Sequence, residues 1–500
     1  MEIWLLLILL GSITYFIVKS SVASITRTPI WLLWLVIMTP ALLWTAWTVV
    51  YGEKTPMPAG LAFGPFVVCS LLYWLLIEWG RPKSAPPQDQ ATEPQNQESE
   101  AKQATNAGGE ISEVRPINKT EETQLRNCFP WSIYYLENIE YRPQAVLCLG
   151  KLRSNPDVAY KTIRENIETH FGDRFFVIFQ ESFSGKPFFA LVPNAQSHPT
   201  AKRHTAPLKR PGLALLLVLI TLFTTTVIGA EIAGVSVKAL QSNPSVLLQG
   251  LPYSLALLAI LSIHELGHYL TAQFYKIRTT LPYFIPLPPP FFPGTFGAFI
   301  QMRSPVPNRK ALFDVSIAGP LAGFVVTLPL LFWGLAHSSV VPLPKESSLL
   351  NIDALNPRFS LLLTLLSKWA MGNELSPTMA IDLHPVAVAG YIGLVVTALN
   401  LIPIGQLDGG HIVHAMFGQR TSTVIGHITR WLVLGLALIQ PELLLWAIIL
   451  LFYMPVADEP ALNDVSELDN RRDFLGLVAL GILVSILLPV PGSLTQLLHI

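Results

Sequence analysis

Charged side chains are scarce in this 500-residue sequence, in which Asp, Glu, Lys and Arg make up 13% and hydrophobic residues 51%. Soluble domains carry about 25% charged residues. The scarcity therefore excludes an ordinary soluble protein and, with a mean hydropathy of +0.46, predicts an integral membrane protein in a lipid bilayer. The 33 basic and 33 acidic residues cancel, so no net field favours binding to nucleic acid.

Cysteine is also rare. The sequence has three cysteines, Cys69, Cys128 and Cys148, and no two of them form a C-x-x-C pair. This excludes a disulfide framework and argues against a thiolate metal site. The amino terminus lacks the basic stretch and the cleavage site of a secretory signal. Because apolar residues begin at Ile3, we expect the first apolar run to be retained as a membrane span, as in a bacterial or an already processed organelle protein.

Long apolar runs, by contrast, recur along the chain, and we predict an all-α polytopic membrane protein with about eight or nine transmembrane helices. Three spans are expected in 1–81 and a membrane core in 211–455. A charged loop and a last helix follow in 456–500. The predicted runs are Ile3–Ile17, Ile30–Tyr51, Gly60–Trp79, Leu213–Ala233, Val246–Phe274, Leu312–Leu335, Pro385–Ile402, Ile425–Tyr453 (one kinked span or two) and Phe474–Pro489.

A polar region separates the first spans from the core. Residues 82–123 are rich in Gln, Asn, Glu, Pro and Ser and predict a disordered linker, because such a composition cannot bury a core. In 124–200, apolar patterning predicts strands at 145–152, 174–182 and 186–193 and a helix at 157–171. We expect a small α+β soluble module that serves either as a spacer or, as we prefer, as a docking domain.

The motif H-E-x-x-H lies inside the predicted helix Val246–Phe274. His264 and His268 are four residues apart and share one helix face. Both imidazoles can therefore bind one Zn²⁺, and Glu265 can take a proton from a zinc-activated water. The alternative is a pair of buried histidines beside a chance glutamate. Ionisable clusters inside apolar helices are costly and mark functional sites, so we favour a metal site.

Two histidines leave a catalytic zinc ion one protein ligand short. Asp408 is the strongest candidate, because it is an acid in a proline- and glycine-broken stretch of an apolar region, with a short helix expected from about residue 412. His411 and His414 are rivals for this position. Asn400 precedes the break and is a candidate amide donor to the oxyanion of a peptide substrate, or else a helix-terminal residue that binds loose backbone.

The stretch Leu281–Met302 is apolar but broken by prolines, so it cannot form a spanning helix. Non-helical backbone at membrane depth must be covered by protein or line a wet cavity. We therefore predict a re-entrant hairpin beside the metal, the alternative being a loop on the lipid headgroups. Edge pairing along 295–302 would hold an extended substrate, and the candidate residues are Gly294, Thr295, Phe296 and Gly297.

The predicted span Leu312–Leu335 has two features that call for neighbours. Gly319 and Gly323 form G-x-x-x-G, which allows two helices to touch closely. Asp314, at the mouth of the span, is a charged residue that needs a partner or water.

The chain resembles the site-2 protease family of intramembrane zinc metalloproteases over roughly 213–453. The resemblance rests on His264-Glu265-x-x-His268, on Ala318-Gly319-Pro320 and on Asn400-x-x-Pro403-x-x-x-x-Asp408-Gly409. It implies one Zn²⁺ per chain bound by the two histidines and the aspartate, with Glu265 as the base and Asn400 near the substrate. The implied activity is hydrolysis of peptide bonds within or near transmembrane segments of membrane-protein substrates.

Two stretches, PGTFGAFIQM and HPVAVAGYIGLVVTALNLIPIGQLDGG, look most like the cyanobacterial and plastid branch, the ethylene-dependent gravitropism-deficient and yellow-green group. That branch carries a G-N-L-R element before the core, which corresponds here to Gly150-Lys151-Leu152-Arg153. The resemblance implies a multi-pass protein of a cyanobacterial plasma or thylakoid membrane, or of a plastid. The active site is expected towards the cytoplasm or stroma, on the side of the basic residues Lys209, Arg210, Lys276 and Arg278.

Two other classes of protein stay open. ZIP-type zinc transporters also carry H-E-x-x-H, but they pair it with H-N-x-x-D, which this sequence lacks. The second alternative is a catalytically silent membrane scaffold or assembly factor. Some members of the branch have lost the metal motif, whereas this chain keeps it, which favours an active enzyme. The sequence leaves the substrate and the oligomeric state open.

Overall fold

The computed structural model describes most of the chain. The described residues are 11, 14–15, 18–19, 28–52, 59–80, 117–142, 145–182, 185–194, 209–289, 292–343, 354–376, 378–439 and 443–498. They fall into two compact units, the first within Met1–Ser112 and Leu436–Tyr453, the second within Glu113–Gly435 and Met454–Ile500.

Helices dominate the described part of the chain. In chain order they are α1 (Ile30–Tyr51), α2 (Ala59–Gly80), α3 (Lys119–Asn127), α4 (Pro156–Phe171), α5 (Pro211–Ile232), α6 (Val237–Ser242), α7 (Leu251–Phe274), α8 (Arg309–Ala336), α9 (Leu361–Met371), α10 (Pro385–Leu401), α11 (Asp408–Ile439), α12 (Leu444–Ile448), α13 (Asn470–Leu487) and α14 (Gly492–Leu498). The strands are β1 (Tyr134–Arg142), β2 (Ala145–Leu152), β3 (Phe175–Glu181), β4 (Pro187–Pro193), β5 (Tyr283–Pro286), β6 (Thr295–Phe299), β7 (Ser339–Pro342) and β8 (Met379–Asp382).

Four helical stretches among the described residues are long and apolar enough to cross a membrane, namely α1, α5, α8 and Pro244–Phe274, which contains α7. They coincide with four of the predicted runs. The first predicted run, Ile3–Ile17, lies largely outside the described residues. In the run Ile425–Tyr453, α11 is described to Ile439 and α12 from Leu444. The question of one kinked span or two falls on 440–442, which lie outside the described residues.

Glycines bring the helices of the second unit into backbone contact. A methyl group placed on Gly334 of α8 would lie 2.4 Å from the backbone nitrogen of Ala387 in α10. One placed on Gly390 of α10 would lie 2.7 Å from Cβ of Leu331. Small residues allow this close approach where lipid gives no hydrophobic drive for association. The result is a closely packed helix layer of α7, α8 and α10, in which α7 carries the H-E-x-x-H motif.

The predicted α+β module folds as a four-stranded antiparallel sheet in the order β1-β2-β4-β3, with α4 beside β3. The strands predicted at 145–152, 174–182 and 186–193 and the helix at 157–171 are present, and β1 was not predicted. Helix α3 begins at Lys119, inside the segment 82–123 predicted as a linker. A capping box between Asn118 and Glu121 starts this helix, and the buried side chain of Leu125 joins the module core.

The element Gly150-Lys151-Leu152-Arg153 lies at the end of β2 and makes contacts within the module. A methyl group on Gly150 would lie 2.1 Å from the carbonyl oxygen of Tyr135 on β1, so the strands can approach only because glycine stands there. Lys151 pairs with Glu137 at 3.0 Å. The Arg153 guanidinium lies 5.1 Å from the centre of the Tyr135 ring. These contacts give the element a role in the β1–β2 hairpin.

The proline-broken stretch forms the predicted hairpin, since β5 and β6 pair antiparallel with a register shift after Ile285. Thr224 of α5 donates a hydrogen bond of 2.8 Å to the carbonyl of Gly294. Tyr253 of α7 donates one of 2.9 Å to the carbonyl of Pro293. The hairpin is thus fixed to two helices of the core. Its depth in a bilayer stays a prediction.

Asp314 has the partners that its charge requires. Its carboxylate accepts hydrogen bonds from Nε and Nη2 of Arg472, both at 2.7 Å, and from the hydroxyl of Tyr275 at 2.5 Å. The bidentate pair joins the first turns of α8 and α13. A pair of this kind is directional and stronger than a neutral hydrogen bond.

Candidate metal centre

Helix α7 presents both histidines of the motif to the interior of the core. His264 and His268 are 4% and 7% exposed. Nδ1 of His268 lies 2.8 Å from the carbonyl oxygen of Val315. A carbonyl only accepts, so Nδ1 carries the proton and Nε2 keeps its lone pair for a metal. The backbone of α8 therefore selects the tautomer that a ligand needs.

The G-x-x-x-G pair of α8 lies directly against the two imidazoles. A methyl group on Gly319 would lie 2.0 Å from Nε2 of His268. One on Gly323 would lie 3.1 Å from Nδ1 of His264. The predicted close contact of two helices is confirmed. The two imidazoles fill the space that these glycines leave, so the glycines make room for the candidate metal ligands.

Asp408 enters the centre from the first residue of α11. The prediction that it lies in irregular backbone, with a short helix only from about residue 412, is wrong about where the helix starts. The first stretch of α11 is nevertheless short, because Gly418 interrupts it with a φ of 81°. Helix α11 begins at Asp408 because Gly409 and Gly410 serve close packing. A methyl group on Gly409 would lie 2.0 Å from the carbonyl oxygen of Leu401, and one on Gly410 would lie 2.2 Å from that of Gly405. The break is confined to the residues between α10 and α11.

Three side-chain atoms converge at this point. Nε2 of His264 and Nε2 of His268 are 3.2 Å apart. Oδ2 of Asp408 lies 3.7 Å from the first and 3.3 Å from the second. Tetrahedral zinc with bonds of about 2.0–2.2 Å requires ligand atoms about 3.3–3.6 Å apart. The donor set and its spacing therefore fit a zinc ion with three protein ligands.

Within the described part of the chain, this trio is the one group of three His, Cys, Asp or Glu side chains that is arranged to hold a metal ion. The rival ligands His411 and His414 are hydrogen-bonded to other carboxylates, although His411 also lines the cavity at the centre. Nδ1 of His411 lies 2.8 Å and Nδ1 of His414 lies 2.7 Å from Oδ2 of Asp458. Nε2 of His414 lies 3.0 Å from Oδ2 of Asp464. Burial alone would raise the pKa of Asp458, but the hydrogen bonds from the two histidines outweigh it and lower the pKa to about 2.

Glu265 is buried beside the ligands and hydrogen-bonds with the backbone of Ile300, just after β6. Both residues line an open cavity of about 830 Å³ that also contains the three candidate ligands. Its other lining residues include Ala298, Gln301, Met302, Arg303, Asn400, Gln406, Glu459 and Pro460. A buried carboxylate thus has access to a space large enough for an extended peptide segment.

Asn400 lies at the centre, in the last turn of α10. Its Nδ2 is 3.1 Å from Nε2 of His264, so its amide points at a ligand atom. Asn400 also lines the cavity, and its role as an amide donor to the oxyanion stays a prediction.

The hairpin residues singled out in the sequence lie to one side of this cavity. Gly294, Thr295, Phe296 and Gly297 are not among its lining residues, which begin on β6 at Ala298. Thr295 is buried and donates to the carbonyl of Ile285 at 2.8 Å, whereas Phe296 is 74% exposed. The first half of β6 therefore stabilises the hairpin turn, and the end of β6 with the residues after it faces the metal centre.

Two of the three cysteines lie away from the centre. Cys128 and Cys148 belong to the core of the α+β module. Burial raises the pKa of Cys148 to about 12, which keeps its thiol protonated and unsuited to metal binding.

Comparison with known proteins supports the resemblance inferred from the motifs. Residues 252–439, which contain all three candidate ligands, match the model of peptidase family M50. No solved structure matches the chain.

The similar curated proteins are plant proteins. The chain is 29% identical over 380 residues to the rice (Oryza sativa subsp. japonica) "Probable zinc metalloprotease EGY1, chloroplastic", covering 71% of this chain and 64% of that protein. It is 35% identical over 247 residues to the Arabidopsis thaliana protein of the same name, covering 49% and 44%. It is 29% identical to the Arabidopsis "Probable zinc metalloprotease EGY2, chloroplastic", covering 73% and 64%. The chain thus spans less than two thirds of the length of each of these relatives.

Proposed function

We propose that the chain, whose residues 252–439 match the model of peptidase family M50, is an intramembrane zinc metalloprotease. It hydrolyses peptide bonds within or near the transmembrane segments of membrane-protein substrates. The observation that carries the proposal is the convergence of His264, His268 and Asp408, whose ligand atoms all lie within 4.8 Å of one another, beside the buried carboxylate of Glu265.

The two histidines and the aspartate would hold one zinc ion. When bound, zinc supplies Lewis acidity that activates a water molecule and polarises the scissile carbonyl. The carbonyl of Val315 fixes the ring of His268 through Nδ1, at 2.8 Å. Two neutral histidines and one negative aspartate would cancel only one of the two charges of Zn²⁺. The occupied site would therefore keep a net positive charge, which favours an oxyanion.

Glu265 is the general base. It accepts the proton of the attacking water and later delivers it to the leaving nitrogen. The amide of Asn400 lies on the His264 side of the centre and is the candidate donor to the developing oxyanion. The hydrogen bond between Glu265 and the Ile300 backbone orients the carboxylate before substrate enters.

The substrate is bound as an added strand along β6 and the residues that follow it to Arg303 (the β6 segment), on the edge that borders the cavity. Gln301 and Arg303 direct their backbone groups to the β5 side, since the carbonyl of Gln301 accepts from Thr280 at 3.0 Å and the N–H of Arg303 donates to Arg278 at 2.7 Å. Backbone groups alternate sides along a strand, so those of Ala298 and Ile300 point away from β5. The backbone of Ile300 is bound to Glu265, which leaves Ala298 to pair with the substrate. Edge pairing there would hold an unwound substrate extended.

The proposed membrane topology starts from the four helical stretches that are long and apolar enough to cross a bilayer and adds the remaining apolar runs as further spans. We place the chain in a plastid-type or cyanobacterial membrane, with about eight or nine spans. The similarity to proteins named as chloroplastic supports this membrane. The basic residues Lys209, Arg210, Lys276 and Arg278 support a metal centre that faces the stroma or cytoplasm.

The Glu265→Gln variant tests the activity. It keeps the size of the side chain and all three zinc ligands but removes the base, so cleavage of a single-span reporter should fall by at least about a hundredfold. Zinc per chain, measured by mass spectrometry of the purified protein, should not change. The matched control is Glu231→Gln, an exposed glutamate at the end of α5. Unchanged cleavage by Glu265→Gln would exclude Glu265 as the base. Absence of cleavage by the wild-type protein would favour a scaffold, and metal flux through liposomes would favour a transporter.

Substrate pairing has a separate test. Ala298→Pro removes a backbone N–H that points away from β5, whereas Ala298→Ser at the same position keeps it. We expect cleavage to fall about tenfold for the proline variant relative to the serine variant, the effect of one lost hydrogen bond of about 1.4 kcal/mol. Equal cleavage by the two variants would exclude edge pairing at this residue.

A further inference from the structure

The loop of residues 454–469, which precedes α13, contains an unusual number of buried polar side chains. Asp458, Asn463, Asp464 and Ser466 are between 3% and 7% exposed. Buried carboxylates are costly unless they are paired. Two of these residues, Asp458 and Asp464, are paired with histidines of α11, the helix that begins with Asp408.

One oxygen atom of Asp458 is hydrogen-bonded to two side chains of α11 that lie one helical turn apart. Its Oδ2 lies 2.8 Å from Nδ1 of His411 and 2.7 Å from Nδ1 of His414. Nε2 of His414 lies 3.0 Å from Asp464, so both nitrogens of this fully buried ring are held by carboxylates. His414 therefore has a fixed orientation and no free nitrogen for a metal.

The loop itself is fixed at two places. The N–H of Leu462 donates to the carbonyl of Val306 at 2.9 Å, just before α8. The N–H of Phe179 on β3 donates to the carbonyl of Leu462 at 2.7 Å, and the N–H of Asp464 donates to the carbonyl of Phe179 at 2.9 Å. The carboxylates that hold α11 are thus anchored both to the entry of α8 and to the edge of the sheet.

Helix α11 needs such support where it begins. Its second and third residues are Gly409 and Gly410, and glycine leaves the backbone more freedom than any other residue. Arg309 of α8 donates from Nε to the carbonyl of Ala415 at 2.7 Å, which holds the helix at its second turn. Asp458, through His411, holds the first turn, three residues from Asp408.

We infer that Asp458 is a positioning residue of the metal centre: by binding His411 and His414 it fixes the first turns of α11 and so holds the Asp408 carboxylate at the histidine ligands. This inference rests on the proposed function, since it concerns the same zinc ion. Groups that orient metal ligands typically contribute about 10- to 100-fold to metal affinity. Asp458 acts through the helix backbone, so we expect an effect at the lower end of that range.

The test uses the full-length protein in detergent, stripped of metal, with zinc affinity measured by competition against a chromophoric chelator. Asp458→Asn keeps the size of the side chain but weakens its hold on both histidines, and zinc affinity should fall about tenfold. With Co²⁺ as a spectroscopic probe, the visible absorption of the variant should change in intensity, because the Asp408 ligand is less well fixed. Asp382→Asn, an exposed carboxylate on β8, should match the wild type in both measurements.

Loss of stability alone is separated by a second control. Arg472→Gln breaks the ion pair with Asp314 and should lower the unfolding temperature without altering the Co²⁺ spectrum. If Asp458→Asn does not fold, His411→Gln removes one of its two contacts at a partly exposed position and should give the same spectral change.

Wild-type zinc affinity and Co²⁺ spectrum in Asp458→Asn, or in His411→Gln if only that variant folds, would overturn the inference while leaving the proposed function intact. A wild-type protein that binds no zinc at all would instead overturn the proposed function and the inference with it.

Discussion

Two histidine pairs lie in the second compact unit, one on α7 and one on α11, and they differ in what their nitrogen atoms face. His264 and His268 on α7 point Nε2 atoms at each other and at Asp408, 3.2–3.7 Å apart. His411 and His414 on α11 have their Nδ1 atoms on Asp458. The first pair has lone pairs to offer a metal, whereas the second already has carboxylate partners.

The difference shows that a histidine pair at helical spacing does not by itself define a metal site. His268 is made a ligand by the carbonyl of Val315, which takes the Nδ1 proton, and by Gly319, which leaves room for the ring. His414 is made a structural residue by two carboxylates that occupy both nitrogens. The partners of the ring, set by tertiary packing, decide between the two roles.

The largest contrast is expected when one histidine of each pair is replaced. His268→Gln removes a ligand atom, so zinc affinity should fall by more than about a hundredfold. His414→Gln disturbs only the fixation of α11, so its affinity should fall by about tenfold or less. Both values come from chelator competition on metal-free protein. Equal losses in the two variants would erase the distinction between the pairs.

A second large effect is expected at Gly319. In Gly319→Ala the new methyl group would lie 2.0 Å from Nε2 of His268, so α7 and α8 must separate or the ring must leave its place. We expect zinc content to fall below half of the wild-type value. The control is Gly481→Ala on α13, where no atom lies within 4 Å of the added methyl group. Zinc bound fully by Gly319→Ala would contradict the assigned contact of α8 with His268.

A smaller effect separates stability from metal binding. Arg472→Gln loses the bidentate contact with Asp314. Because both side chains are about a quarter exposed, solvent screens the pair, and we expect a loss of about 1 kcal/mol in the free energy of unfolding. Thermal unfolding in detergent measures it. Zinc per chain should stay at the wild-type level, and a loss of zinc would mean that the α8–α13 contact also shapes the centre.

The sequence was sufficient for the parts of the centre that depend on local spacing. His264, Glu265 and His268 follow from one helical motif, and Asp408 follows from an isolated acid in a broken apolar run. The start of α11 was misplaced because glycine signals both helix ends and close packing, and Gly409 serves the second purpose.

Other parts depend on contacts between residues far apart in the chain. Asp458 was not predicted, since a carboxylate in a charged loop usually faces water, and its two histidines lie more than forty residues earlier. Edge pairing was predicted along 295–302, but the residues singled out there, 294–297, are not the ones that line the cavity. Strand alternation gives two faces, and only the docking of the hairpin on α5 and α7 decides which one meets Glu265.

The most direct test of the metal centre is X-ray absorption at the zinc K-edge on the purified wild-type protein. The proposed site predicts one zinc per chain, two imidazole nitrogens at about 2.0–2.1 Å, oxygen in the remaining positions, and no sulfur. A third imidazole, a sulfur at about 2.3 Å, or a protein that retains no zinc would contradict the assignment of His264, His268 and Asp408 as the ligands.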